Sequence, residues 1–393
     1  MKITDVTLSI LRTELGDGVF PTRGAVDKLP QLVLVSVSTA EGIDGHYISY
    51  LIPSKAVPHA AEVAKTLLVG RDTYDVAALS HEMTTALPPY SNPPALAGAD
   101  ACLWDINAKA DNLPLYRYLG PHRHEIRAYA STVAYPTIDG YVDTLRAAVA
   151  EGFTAAKVHP FGEAARDIEL AKALREEFPH IDLMIDPVCA YTVPDALAVG
   201  RVLDDLNFYW FENPISDQDL DGLAFLASKL TTPLSVGEQN FAGFAALHGY
   251  LSRPSGFSVR TLAEYTGGVT QMMKSAHACE AFGLNYQIHS YGPTLTGDVP
   301  ECGAGHPQLR LRRNHGAAEF VGHRHGGPSN DRRQELHLCP AEARPRLRHR
   351  PRQSGRPDPA ALLRRFRADS SPASSKHVIC PNCGLSHPEA GIT

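Results

Sequence analysis

The sequence predicts an α/β fold, a (β/α) TIM-type barrel preceded by a separate N-terminal α+β unit, with the barrel incomplete at its C-terminal end. Apolar runs alternate with helix-like stretches from residue 126 to residue 289, the pattern of repeated strand–helix units. Three of the runs, IDLMID, FYWFE and PLSVGE, bring a carboxylate to a strand end: Asp186, Glu212 and Glu238, 26 residues apart. One strand, turn, helix and return loop use about 26 residues. Equal spacing therefore puts the three acids at the same end of consecutive parallel strands. After Asp298 the alternation stops.

Residues 1–125 read as a separate unit. KITDVTLSI and QLVLVSVST alternate like paired strands, and a turn at Ala40–Gly45 leads into a third, HYISYLI. Helix-like stretches follow at Ser54–Leu68, Tyr74–Thr85 and Pro94–Ala110. Strands first and helices afterwards suit an α+β domain. Its first loop, Glu14–Lys28, is placed to close over a barrel mouth or simply to lie in solvent.

Residues 126–298 supply the barrel. IRAYAS opens it, TAAKVH follows, and the three acid-ended runs come next. GFSVR ends one unit after Glu238, and LNYQIH ends at His289 one unit later. The intervening helices are expected at Glu163–Phe178, Val193–Asp205, Gln218–Lys229, Phe241–Ser252 and Gly267–Phe282.

Residues 299–393 differ in kind. They hold 16 basic and 8 acidic residues, with a single lysine, Lys376, against 21 basic and 35 acidic residues before them. Hydrophobic periodicity is lost, so this Arg/Pro/Ser/His-rich stretch is expected to be disordered. A change of reading frame near Asp298 would account for it, a hypothesis that resequencing the gene would sink if the frame proved intact. CPNCGLSH, with Cys380, Cys383 and His387, offers half of a zinc site where four ligands are usual.

Composition narrows the function classes. The acidic body argues against a specific nucleic-acid partner, and no run approaches the length of a membrane span. The start has no signal-peptide apolar block. Cys102, Cys189 and Cys279 are scattered without a pairing pattern, as in a reduced, cytoplasmic protein.

The strand ends carry the chemistry. An acid closing a buried strand is costly unless its charge is compensated, and three converging acids form a hard, oxygen-rich site for a divalent cation. Lys157 and His159, two residues apart on one strand, share its face. His289 falls in the same phase on a later strand. Asn213, beside Glu212, is expected to orient that ligand or cap a turn.

PALAGADACLWDINAKADNLPLYRYLG, followed by a barrel opening with IRAYAS, resembles the domain junction of the enolase superfamily, most closely its mandelate racemase and muconate lactonizing branch. Lys157-x-His159, the Asp186 strand, Glu212-Asn213-Pro214, Gly237-Glu238-Gln239 and His289-Ser290 fall in that family's order. The resemblance spans residues 1–298. It implies an α+β cap over a modified barrel, with Mg2+ bound by Asp186, Glu212 and Glu238. It also implies proton abstraction next to a substrate carboxylate, with a stabilised enolate.

Two departures from the family pattern bear on the reaction. A second lysine usually stands where this chain has His159. Lys157 is therefore expected to give electrostatic support, and His159 to act as base or substrate ligand. A histidine such as His289 usually pairs with an aspartate on the preceding strand, where this chain has Thr261 and Leu262; Glu264 would substitute only if the strand end were rearranged. Without that partner His289 suits a general acid, which favours dehydration of an acid sugar to a 2-keto-3-deoxy product. A racemase, epimerase or cycloisomerase on the same scaffold is the alternative, and an inactive, truncated barrel is the alternative of another class. The expected partners are a small-molecule carboxylate substrate and, where the barrel folds, further copies of the chain in a homo-oligomer.

Overall fold

In this computed structural model of the protein, residues 1–11, 32–49, 51–85, 93–121, 127–239, 243–253 and 258–289 are described, together with the backbone of 320–325. β1 (Ile3–Leu11), β2 (Leu32–Thr39) and β3 (Gly45–Ser49) form an antiparallel sheet in that order. Alternation along β2 buries Val33, Val35 and Val37, the face on which the helices pack. α1 (Val57–Leu68), α2 (Val76–Thr85), α3 (Pro93–Ala110) and the short α4 (Leu115–Tyr118) follow. β3 and α3 approach so closely that a Cβ on Gly45 would lie 2.3 Å from the Cys102 carbonyl oxygen; only glycine fits there. Val33, Val35, Leu79, Leu103 and Ile106 belong to the core of this unit.

The barrel sheet begins with β4 (Arg127–Ser131) and continues through β5 (Ala155–Val158), β6 (Asp182–Ile185), β7 (Trp210–Glu212), β8 (Leu234–Val236), β9 (Ser258–Leu262) and β10 (Asn285–His289). All seven are parallel, each beside its sequence neighbour. α5 (Ile138–Ala150), α6 (Ala164–Glu177), α7 (Val193–Asp205), α8 (Leu220–Lys229), α9 (Leu247–Leu251), α10 (Ala263–Thr266) and α11 (Gly268–Ala281) make the returns. Local chemistry starts several of them: Thr137, Thr192 and Asp219 side chains accept N–H bonds at the first turns of α5, α7 and α8, satisfying otherwise orphaned donors. Outward-facing Val158, Ile185, Phe211 and Val236 meet Leu170, Leu174, Val199 and Leu223 in the main core. No helix among the described residues is long and apolar enough to cross a membrane.

The structure differs from expectation at two places. The helix expected over Phe241–Ser252 is a 3-10 turn at Gly243–Ala246 followed by α9. Second, β11 (Phe320–His325) lies within the stretch expected to lack structure, and pairs in parallel with β4 as an eighth strand. The helix expected at Gly267–Phe282 is present as α11, separated from the short α10 before it by Gly267 and Gly268, with φ values of 105° and 88°. No pairing joins β10 to β11 among the described residues, so the sheet is curled and not hydrogen-bonded shut. The Glu14–Lys28 loop and CPNCGLSH lie outside the described residues.

The break before α11 is the point of attachment between cap and barrel. Asp100 on α3 accepts from Thr270 N at 2.9 Å and from Thr270 Oγ1 at 2.6 Å, capping α11 from another helix. A Cβ on Gly268 would lie 2.5 Å from the Asp100 carboxylate. Trp104 Nε1 donates to Thr270 Oγ1 at 2.9 Å, and Gln271 Nε2 to Ser80 Oγ at 2.9 Å. Ser49 donates to Glu264 at 2.6 Å, so Glu264 binds the cap and does not stand in for the absent aspartate.

Candidate active site

Inside the barrel, side chains at alternate strand positions stack in layers. Tyr129, Ala155, Met184 and Trp210 form an apolar floor, with the Tyr129 and Trp210 rings edge to face at 5.6 Å. Two residues further along their strands come Ser131, Lys157, Asp186 and Glu212. The period of two thus turns apolar strands into a charged layer resting on an apolar one.

The charges in that layer form a chain of ion pairs. Lys157 Nζ lies 2.6 Å from Asp186 Oδ2 and 2.9 Å from Glu212 Oε1. Arg260 Nε lies 2.9 Å from Glu212 Oε1 and 2.9 Å from Glu238 Oε2. A histidine stands at each end: His159 Nε2 is 3.2 Å from Asp186 Oδ2, and His289 Nδ1 is 2.5 Å from Glu238 Oε1. All six residues proposed from the sequence are therefore brought together, joined by an arginine that the sequence reading left without a role. Trp210 Nε1 also donates to Glu212 Oε2 at 3.1 Å, and Val188 N to Asp186 Oδ1 at 3.0 Å.

Burial sets the electrostatics. It would depress the Lys157 ammonium, but Asp186 and Glu212 hold it above its usual range. Burial would likewise depress Arg260, and its carboxylate neighbours raise it. Both stay cationic, so Lys157 acts as a fixed charge. Burial would raise Asp186, yet Lys157 and His159 hold it well below the usual carboxylate range. Glu238 is lowered in the same way against burial, by His289 and Arg260. Burial dominates at Glu212 and pushes it to about 8, with Arg260 and Lys157 opposing. Burial also lowers His289, against the pull of Glu238.

His289 corrects one expectation. Leu262 is its register partner on the preceding strand, and Thr261 bonds the Tyr286 hydroxyl, so neither position offers it a carboxylate. The aspartate is absent, yet His289 has a carboxylate partner in Glu238, two strands away. A carboxylate on Nδ1 orients the ring and raises its basicity at Nε2. The missing aspartate therefore does not by itself favour an acid role over a basic one. His159 is fixed from the other side, its Nδ1 facing the Thr132 carbonyl oxygen at 2.5 Å.

The strand ends are held by backbone features that sequence reading missed. A left-handed residue lies within three residues of each acid: Val188 and Cys189 after Asp186, Asn213 directly after Glu212 and Gly237 directly before Glu238. Strain of this kind at non-glycine positions collects at functional sites. Asp217, in the loop after β7, ties two of these ends together. It accepts from Gly237 N at 2.8 Å and Gln239 N at 2.7 Å, bracketing Glu238, and from Asn213 Nδ2 at 2.6 Å. Asn213 thus caps the turn through Asp217. Burial raises the Asp217 carboxyl to about 6.

The donor set fits a hard divalent ion. Three carboxylates face two fixed cations, and Glu212, held up to about 8 by burial, would be stabilised in its ionised form by a further cation. The Ser131 and Ser235 hydroxyls are buried without a hydrogen-bond partner among the described residues, which suits an ion that keeps some of its waters. No three His, Cys, Asp or Glu side chains among the described residues already surround a common point, because their oxygens turn towards Lys157 and Arg260.

Comparison with known proteins agrees with this architecture. Residues 19–120 match the family described as mandelate racemase / muconate lactonizing enzyme, N-terminal domain, and residues 140–312 match enolase C-terminal domain-like. The chain belongs to the mandelate racemase/muconate lactonizing enzyme family of the enolase superfamily. Arabinonate dehydratase of Saccharolobus solfataricus is 26% identical over 308 residues, covering 74% of this chain and 82% of that protein. L-talarate/galactarate dehydratase of Salmonella typhimurium is 28% identical over 230 residues, covering 53% of this chain and 54% of that protein. Thus the chain spans about half the length of the second relative and most of the first. Among solved structures, D-glucarate dehydratase from Agrobacterium tumefaciens complexed with magnesium aligns with a TM-score of 0.67 at 25% identity, covering 82% of this chain and 86% of that one. A member of this family is an enzyme of the enolase superfamily, and the cap-and-barrel fold is the one its relatives share.

Proposed function

We propose that this protein dehydrates an acid sugar by removing the proton next to its carboxylate with the help of Mg2+. The observation that carries the reading is the buried row of Asp186, Glu212 and Glu238, with a histidine at each end. A proton next to a carboxylate is too weakly acidic for a side chain acting alone. Mg2+ held by the three carboxylates would supply positive charge against the enediolate that forms. Lys157, a permanent cation in the same layer, holds the substrate carboxylate beside that charge. His159 takes the α-proton on its imidazole. His289 delivers a proton to the β-hydroxyl as the C–O bond breaks, releasing water and leaving an enol that tautomerises to the 2-keto-3-deoxy acid. The apolar floor excludes water from below, which strengthens every charge interaction above it.

A second reading is favoured by the Glu238–His289 contact, since a carboxylate-backed histidine also serves as a base. With His159 and His289 working from opposite ends of the row, the same site would racemise or epimerise its substrate. One experiment separates the two: incubate the full chain and Mg2+ with a panel of aldonates and aldarates in D2O. Formation of 2-keto acid is the expected result. Deuterium uptake or inversion without keto product would replace the dehydratase by the isomerase.

A further inference from the structure

The strongest unexplained feature of the site is Arg260. Its side chain is 1% exposed, deep in the barrel, and it is the third residue of β9, well below the strand's end. Alternation puts it on the inner face with Ser258 and Leu262, and Gln287, its register partner on β10, accepts from Nη1 at 3.2 Å. Nε lies at 2.9 Å from one oxygen each of Glu212 and Glu238. These are two of the three carboxylates the preceding reading assigns to a divalent ion. A buried guanidinium without carboxylates would be prohibitively costly, as would buried carboxylates without a cation. Each therefore requires the other when no metal is bound.

Together the contacts show a site already balanced from within. Glu212 Oε1 is shared between Lys157 and Arg260, Glu212 Oε2 accepts from Trp210, and the two Glu238 oxygens face Arg260 and His289. An ion drawing on Glu212 and Glu238 must compete with the guanidinium for them and add positive charge beside it.

We propose that Arg260 is a resident counter-cation of the carboxylate site, holding Glu212 and Glu238 together without metal and weakening divalent-ion affinity by competing for both. The proposal rests on the metal-site reading above. It implies that the unmodified protein folds without divalent ions and takes them up weakly, whereas the site without Arg260 depends on them.

The test uses the full chain as wild type, Arg260→Gln and Arg260→Lys, with Mn2+ as probe. Binding is followed by the EPR signal of free Mn2+, and melting is measured in EDTA and in Mg2+. Arg260→Gln is expected to bind Mn2+ at least about tenfold more tightly than wild type, a difference readily resolved in a titration. It should also melt lower than wild type in EDTA and regain the loss in Mg2+. Arg260→Lys, keeping a point charge without the planar fork, should fall between the two. Should Arg260→Gln fail to fold, the lysine variant decides: tighter binding than wild type supports the proposal, and unchanged or weaker binding overturns it. A folded Arg260→Gln that binds Mn2+ no more tightly than wild type overturns the competition and leaves the metal site standing. If neither wild type nor any variant binds Mn2+, the metal reading fails, and this proposal with it.

Discussion

The attachment of cap to barrel should respond to pH through Asp100. Asp100 is fully buried, and burial raises its carboxyl to about 6 despite bonds from Thr270 and Ser80. In the unfolded chain it returns to an ordinary value near 3.8. Between those values the folded state binds the extra proton, so protonation favours folding. The contribution is fully present below about 3.8 and is lost as pH rises through about 6. The gap converts to about 3 kcal/mol, an order-of-magnitude figure. Equilibrium urea unfolding of wild type and Asp100→Asn between pH 4 and pH 7.5 measures it. Other acids titrate in both proteins, so the difference between their slopes isolates Asp100. Wild type should lose about 2 kcal/mol relative to the variant across that range, since part of the contribution is already lost at pH 4. Parallel stability profiles would refute the assignment of that slope to Asp100.

Other expectations concern the site itself. Asp217→Ala leaves two backbone N–H groups without their acceptor, costing about 1–3 kcal/mol each, offset by about 3 kcal/mol no longer spent on a buried carboxyl. Net destabilisation by urea should therefore be small, while Mg2+ affinity by calorimetry falls about 10–100-fold as Glu238 loses its bracket. Glu212→Gln removes the acid shared by Lys157 and Arg260, each of which keeps a second carboxylate in Asp186 and Glu238, and keto-acid formation should be abolished in a coupled assay. His159→Gln should slow α-deuterium exchange, followed by NMR, by about 100-fold or more. Lys157→Met should raise KM for the carboxylate substrate and also lower kcat, since the charge removed meets the carboxylate in the ground state and the additional negative charge that develops in the transition state.

The fold was legible in the sequence wherever strand and helix kept a regular period, and Asp186, Glu212 and Glu238 were found because each ends a unit of equal length. Arg260 is visible as a charge inside an apolar run, but GFSVR by itself looks like a strand that ends there. The strand continues two residues to Leu262, which makes Arg260 an interior residue and changes its partners. Asp217 gave no signal. Its amide partners lie 20 and 22 residues away on the next strand end, and nothing in a loop aspartate announces such pairing. The Glu238–His289 contact crosses two strands, a relation fixed by barrel curvature and not by spacing. The start of α11 at Gly267-Gly268 was legible, since paired glycines punctuate helices; the crowding by Asp100 that makes Gly268 necessary was not.

The apolar floor formed by Tyr129, Ala155, Met184 and Trp210 has a consequence for association. A low-dielectric base beneath the three acids and two fixed cations directs their field outwards through the mouth, and with Glu212 ionised that field is net negative. Cations are drawn in along that field, and an anionic sugar acid is repelled until one has arrived. Arrival should thus be ordered, metal before substrate, with capture of the metal slowing steeply as ionic strength rises.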